Sequence, residues 1–219
     1  MGSNGQQEDI VIFGHWVPKE GKMNELLEAF SPVLKYASQN TNTISCFYLL
    51  KEKKEDNTGA LITSSCFKTR KAYEEYLSSP ERATLHNICK RQGLLIEPQR
   101  EQTLETAAGF PFRSTGVHSA PGVHAAMAKI QYAPGMRSQG IQHWQKVAAS
   151  VEEKEKEGTY SYWFLTDPDD ADVLYSLERY KDAAYLWDVH VPSEAIQQNI
   201  QRQKDIRTGL LLRVFASVE

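Results

Sequence analysis

The same order of strand, turn and helix occurs twice along this chain, and that repeat restricts the fold more than any other feature. Val173 to Pro192 alternates apolar and polar residues as a strand does, turns, and continues as a short helix. Residues 60–80 have the same outline, with Phe67 matching Tyr180. Self-similarity over so long a stretch indicates two copies of one structural unit.

Each half of the sequence predicts the element order β-α-β-β-α-β. The turn before the first helix contains a matched glycine in both halves, Gly21 and Gly135. After the first copy, residues 98–122 are rich in glycine and proline and indicate a linker, with an edge strand left open at 103–108. The predicted strands are 10–17, 44–50, 60–68 and one after Gly93, then 123–132, 160–165, 173–180 and 209–218.

This element order is the ferredoxin-like motif, an antiparallel sheet with helices on one face. The other face of the sheet is apolar and has to be covered. We therefore predict an α+β chain of two tandem ferredoxin-like halves whose sheets pack face to face in an intramolecular barrel. The first domain is expected over 10–112 and the second over 122–219, with 1–9 as a disordered lead-in and 113–121 as the linker.

Composition and charge exclude several classes of protein. The chain is 41% hydrophobic and 24% charged with a net charge of -3, and its basic residues are mixed with acidic ones, so neither nucleic acid nor a membrane is an expected partner. There is no apolar run of 18 residues and no apolar signal core in the first nine. Cys46, Cys66 and Cys89 form no metal-ligand spacing, which predicts reduced thiols, a cytoplasmic location and no metal site.

Three short motifs stand at corresponding places in the second half. Glu157-Gly158 precedes the second strand, Glu178-x-Tyr180 ends the third, and His190 lies in the helix that follows. Together they resemble the antibiotic biosynthesis monooxygenase family of dimeric α+β barrels, whose pattern is Glu-x-Gly, Glu-x-Trp and Ala-His. The resemblance covers nearly all of the chain as two copies, with a tyrosine in place of the tryptophan.

The first half departs from the family pattern. Ser65 stands where the second half has its glutamate, and Leu77 replaces the helix histidine. His86 resembles the iron-ligand position of the haem-degrading branch, and Tyr76 stands where that branch has a tryptophan. Gly14 occupies a position at which both that branch and the quinone-forming branch use asparagine.

The resemblance implies an activity that needs no metal or flavin. Members of the monooxygenase branch oxidise an electron-rich phenol or an enolisable ketone with dioxygen. Dioxygen reacts slowly with closed-shell molecules, but an enolate can give it one electron, so the protein has to remove a proton, stabilise the anion and exclude water. A cofactor-independent monooxygenase acting on a small hydrophobic molecule, such as a secondary or oxylipin-type metabolite, is the expected function. The sequence also lacks a GxGxxG or P-loop motif, so no bound flavin or nicotinamide is expected.

The second half supplies the preferred site residues. We predict His190 as base or anion-stabilising donor and Tyr180 as hydrogen-bond donor, because an imidazole titrates near neutral pH and a phenol donates. Substrate contacts are expected from Trp187 as an apolar wall, Glu178 and Trp163. The rival set in the first half consists of His15, Tyr76 and His86.

Structural interpretations of the same residues stay open. Trp187 at helical spacing is also typical of a core residue, Glu178 of a structural carboxylate, and His190 of a hydrogen-bonded helix histidine. The alternative functions are a non-catalytic member of the fold that binds a small ligand or a protein, and a haem-binding or haem-degrading protein. Self-association is compatible with each of these functions.

Overall fold

The structure is a computed structural model that describes residues 9–54, 59–113 and 123–218. The first half contains β1 (Ile10–Trp16), α1 (Met23–Gln39), β2 (Ile44–Glu52), β3 (Leu61–Phe67), α2 (Arg70–Leu77), α3 (Pro80–Gln92) and β4 (Arg100–Phe110). The second half contains β5 (His124–Tyr132), α4 (Arg137–Lys154), β6 (Thr159–Asp167), β7 (Asp170–Tyr180), a π-helix (Tyr185–His190), α5 (Glu194–Gln203) and β8 (Arg207–Ser217).

The predicted α+β class and the two ferredoxin-like halves are confirmed. One difference concerns β4, which is eleven residues long and occupies 100–110, where the sequence indicated a linker with a short edge strand. The predicted lead-in (1–9) and linker (113–121) lie outside the described residues, apart from Asp9 and Arg113. None of the helices in the described ranges is long and apolar enough to cross a lipid bilayer.

Two compact units account for the described residues. The first comprises 9–49, 53–54 and 59–103, and the second comprises 50–52, 104–113 and 123–218. The division falls inside β2 and β4, because Leu50–Glu52 pair with β8 and the end of β4 from Glu105 to Phe110 pairs with β6. The contact units are therefore not identical with the copies of the sequence repeat.

In the first unit, β1 and β3 pair antiparallel from Ile10 opposite Phe67 to Trp16 opposite Leu61. Helix α1 buries one apolar stripe along its length, as its 3.6-residue periodicity predicts. Helix α3 begins at Ser79, whose hydroxyl accepts the Arg82 N–H, and has Pro80 in its first turn. It ends at Gly93, which adopts the left-handed conformation that favours glycine. These two ends fix the helix that carries Arg82 and His86.

In the second unit, the strand order β8-β5-β7-β6 is that of a ferredoxin-like sheet. β7 pairs with both β5 and β6 and is therefore a central strand. The helix-facing side forms an apolar core in which Trp144 of α4 stacks on Phe164 of β6, with ring centroids 4.6 Å apart. A central strand packed under helices holds its side chains rigidly, which suits a site that needs fixed geometry.

Candidate functional site

The segment after β7 is a π-helix rather than the α-helix that the sequence predicted. Asp182 caps its first turn, with its carboxylate accepting the Tyr185 N–H at 2.7 Å. The Val191 N–H donates to the Leu186 carbonyl at 2.9 Å, which is the i to i+5 spacing of a π-turn. This wider turn buries both Tyr185 and His190, five residues apart, and leaves Trp187 50% exposed. The predicted helix face is therefore wrong for Trp187, whose side chain lies largely in solvent.

His190 forms a buried pair with Glu155, the residue that ends α4. The His190 Nδ1 lies 2.8 Å from the Glu155 Oε2, and the Thr159 hydroxyl donates to the same oxygen at 2.7 Å. Burial alone would raise the pKa of Glu155, but the hydrogen bond and charge of His190 bring that pKa below its usual value. Because an ionised carboxylate only accepts, Nδ1 carries the proton and a neutral ring has its lone pair on Nε2. This is the arrangement of an oriented base.

A second carboxylate, Glu178, holds the Tyr180 hydroxyl. Tyr180 donates to the Glu178 Oε2 at 2.8 Å, and Ser176 donates to Oε1 at 2.9 Å. The three residues are spaced by two on β7, so they share one face of the strand, as the sequence predicted. Both oxygens of Glu178 are therefore occupied by neighbours on its own strand.

Tyr162 brings a further phenol to this cluster from β6, where it lies opposite Glu178. Its hydroxyl is buried and has no hydrogen-bond partner within the described part of the chain. The rings of Tyr162 and Tyr180 lie 5.1 and 5.0 Å from the His190 ring, centroid to centroid. Burial first, and the charge of Glu178 second, raise the pKa of both phenols well above the usual value. Both phenols therefore stay protonated, and the Tyr162 O–H is an available donor beside the His190 ring.

Trp163 lies on the opposite face of β6 from its neighbour Tyr162, because side chains alternate along a strand. Its indole N–H donates to the Thr106 hydroxyl of β4 at 3.1 Å. The structure therefore does not bring Trp163 to the cluster around His190.

In the first half, the rival residues are placed on separate elements. Tyr76 of α2 is buried against Phe67, with ring centroids 5.2 Å apart, and burial raises its pKa. His86 of α3 approaches Trp16 of β1 with a centroid distance of 5.5 Å. His15 is half-buried on β1.

Close packing around Gly14 explains why this position carries glycine and not the family's asparagine. A Cβ built on Gly14 would collide with the Thr63 hydroxyl and lie 2.9 Å from the Trp16 Nε1. Any side chain at this position would have to displace both groups. The family's asparagine therefore does not fit into the first half as it is packed.

The sequence did not reveal Glu155 or Thr159, whereas Tyr162 is one of the second-half aromatic residues that the sequence offers as walls or hydrogen-bond donors. Glu155 lies in the charged run from Glu152 to Glu157, which is typical of a solvated helix end, and the family motif drew attention to Glu157 instead. Glu157 is exposed. The one available signal was spacing, since Glu155 and Thr159 are four residues apart at the change from helix to strand.

Comparisons place the fold among proteins of similar architecture. No protein-family model matches the sequence, and no curated protein matches it. A candidate monooxygenase of Lactobacillus acidophilus NCFM is 10% identical with a TM-score of 0.78, covering 96% of this chain and 94% of its own. One from Fusobacterium nucleatum subsp. nucleatum ATCC 25586 is 11% identical with a TM-score of 0.80, covering 97% and 93%.

A third structure, of an anthrone oxidase-like protein, is 10% identical with a TM-score of 0.61 and covers 97% of this chain and 92% of its own. At such low identity these likenesses establish a shared fold over the whole chain, as the family resemblance predicted. An activity has to be argued from the residues of the site. Across the described ranges, no group of three or more His, Cys, Asp or Glu side chains is placed to hold a metal ion.

Proposed function

We propose that this protein is a cofactor-independent monooxygenase that oxidises a small apolar aromatic or enolisable ketone with dioxygen, using His190 and Glu155 as its base. The observation that carries the proposal is the buried His190–Glu155 pair, beside which the Tyr162 hydroxyl has no hydrogen-bond partner among the described residues. The names of the structural neighbours support it, since they include two candidate monooxygenases and an anthrone oxidase-like protein. Anthrone is itself an enolisable aromatic ketone.

In the proposed reaction, the His190 Nε2 takes the acidic proton of the substrate. The Glu155 carboxylate then stabilises the imidazolium across a 2.8 Å contact. The Tyr162 O–H donates to the enolate or phenolate oxygen as negative charge develops there. The anion passes one electron to dioxygen, and the two radicals combine as a peroxide on the substrate. The His190 imidazolium returns its proton to the peroxide. Loss of water, which takes the remaining hydrogen of the same carbon, leaves a new carbonyl, with one oxygen atom in the product and the other in water.

The proposed enzyme works in the cytoplasm and uses dioxygen as its co-substrate. Cys46, Cys66 and Cys89 are all buried as free thiols, which supports the reducing environment of the cytoplasm. Dioxygen is the only co-reactant that the reaction requires. The substrate is the expected partner, a small hydrophobic molecule that the base can reach.

The test is dioxygen uptake by purified, chelator-treated protein with anthrone and a panel of acidic phenols and ketones. We expect one dioxygen per substrate, with one atom of ¹⁸O₂ in the product. His190→Gln should lower the rate about 10²- to 10⁴-fold, the usual contribution of a general base. His143→Gln, a histidine of α4 outside the pair, is the matched control and should keep the rate. No uptake with any member of the panel contradicts the proposal.

A non-catalytic ligand-binding protein is the competing function. It is favoured by the burial of His190, which is 3% exposed, and by the saturation of both Glu178 oxygens. Saturable binding of anthrone without dioxygen uptake would favour this function over the monooxygenase.

A further inference from the structure

The first unit contains a set of buried nitrogen atoms that lack acceptors. The Trp16 Nε1, the Arg82 Nε and the His86 Nε2 have no hydrogen-bond partner among the residues described here. Buried polar groups in folded proteins are almost always paired, because an unpaired one loses its hydration and gains nothing. Three such atoms in one unit therefore need an explanation.

These atoms belong to neighbouring side chains. The Trp16 and His86 rings are 5.5 Å apart, centroid to centroid. Arg82 and His86 are four residues apart on α3 and thus lie on the same side of the helix. The guanidinium of Arg82 also lies over the Tyr76 ring, with its Cζ 5.9 Å from the centroid. The three nitrogens therefore belong to neighbouring side chains of β1 and α3, and Tyr76 of α2 adds an aromatic ring beside Arg82.

His86 is a donor in this cluster. The Gln99 side-chain amide nitrogen lies 3.1 Å from the His86 Nδ1, and an amide nitrogen can only donate, so Nδ1 accepts. Burial first, and the charge of Arg82 second, lower the pKa of His86 and keep the ring neutral at pH 7. The proton of the neutral ring is then on Nε2. All three unpaired atoms are N–H groups.

The cluster has little net charge. The Arg82 guanidinium binds both oxygens of Glu101, at 3.1 and 3.0 Å. With Arg82 neutralised and His86 uncharged, the cluster offers three donors but no excess positive charge. Such a site matches an uncharged oxygen acceptor better than a carboxylate, which would bring an unpaired negative charge next to Glu101.

We propose that the first half binds a neutral, flat aromatic ligand whose carbonyl oxygen accepts hydrogen bonds from Trp16, Arg82 and His86. This site goes beyond the base chemistry assigned to the second half and differs from it in character. The carboxylates of the second half are already paired with donors, whereas the donors of the first half await an acceptor. The second half is thus assigned a base that removes a proton, and the first half a set of N–H donors that binds a carbonyl oxygen, although both halves have the same fold.

The test is an ¹H–¹⁵N spectrum of the full chain titrated with chromone, a neutral bicyclic ketone without an enolisable C–H. Chromone cannot undergo the proposed oxidation, so failure here is distinguishable from failure of the monooxygenase function. The Trp16 indole signal, assigned with Trp16→Phe, should move downfield and saturate. The Trp144 and Trp163 indoles should stay in place, because they already donate to Tyr132 and Thr106.

Matched ligands and variants decide the class of ligand. Naphthalene, which has no acceptor, and chromone-2-carboxylate, which is charged, should each bind at least about fivefold more weakly than chromone. His86→Phe and Arg82→Lys, which each remove one N–H donor, should weaken chromone binding by a similar factor. His143→Phe should not, although His143 also has a buried unpaired ring nitrogen in the described structure. An unmoved Trp16 signal in folded protein, tighter binding of the carboxylate, or equal losses in the His86 and His143 variants would overturn the proposal.

Discussion

Burial, rather than residue type, separates the glutamate that pairs with His190 from its neighbours. Glu155 and Glu157 stand two residues apart in one charged run. Glu155 is buried against His190 and Thr159, whereas Glu157 is exposed. Gly158 is required just beyond them, because a Cβ there would collide with the Tyr185 ring. The family motif thus marks the place where helix α4 ends and β6 follows, and the buried carboxylate that pairs with His190 lies two residues before Glu157.

We expect Glu155→Gln to destabilise the protein by about 1–3 kcal/mol at pH 7, since it weakens a buried charge-assisted hydrogen bond. The folded-state pKa of Glu155 is lowered, so its stabilisation is present above the usual carboxyl pKa and is lost as the pH falls through the lowered value. Urea unfolding should therefore show a difference between wild type and variant at pH 7 that shrinks on acidification below about pH 4. Glu157→Gln is the control and should match wild type; a pH-independent difference for Glu155→Gln would contradict this account.

At the scale of elements, the regular patterns of the sequence were sufficient for most of the fold. The period-two pattern of β7 correctly placed Ser176, Glu178 and Tyr180 on one face, and the repeat predicted both element orders. The π-helix could not be predicted, because Leu186, Trp187 and His190 also fit a 3.6-residue period. A π-turn is stabilised by tertiary packing of its buried side chains, which a local pattern does not contain.

The π-helix predicts that substitutions at two adjacent residues change the free energy of unfolding by different amounts. Leu186 is 3% exposed and Trp187 is 50% exposed. Leu186→Ala should lower the free energy of unfolding by about 2–4 kcal/mol, because it leaves a cavity. Trp187→Ala should change it by less than about 1 kcal/mol and leave dioxygen uptake intact. Thermal melts of both variants provide the measurement. A larger loss for Trp187→Ala would mean that the α-helical face predicted from the sequence is the right one.

At the scale of the whole chain, the two halves repeat one order of elements and carry different side chains. Only one member of the His190–Glu155 pair could be located from the sequence. The two residues are 35 positions apart, and the fold alone brings them into contact. The departures of the first half were visible beforehand in Gly14, Ser65 and Leu77. The first half has a cluster of N–H donors around His86 instead of the family residues. This cluster could not be predicted, because it depends on three-dimensional packing.

This inequality of the halves predicts that turnover and carbonyl binding respond to different histidines. His190→Ala should lower the rate of dioxygen uptake about tenfold or more, equivalent to roughly 1.4 kcal/mol in the barrier, and leave the Trp16 response to chromone unchanged. His86→Ala should weaken chromone binding and keep the rate within about twofold at saturating substrate. Thermal melts establish that both variants are folded. A rate loss confined to His86→Ala would assign the catalytic base to the first half instead. If neither variant slows uptake while both proteins stay folded, neither histidine is the base, and the ligand-binding function is favoured over the monooxygenase.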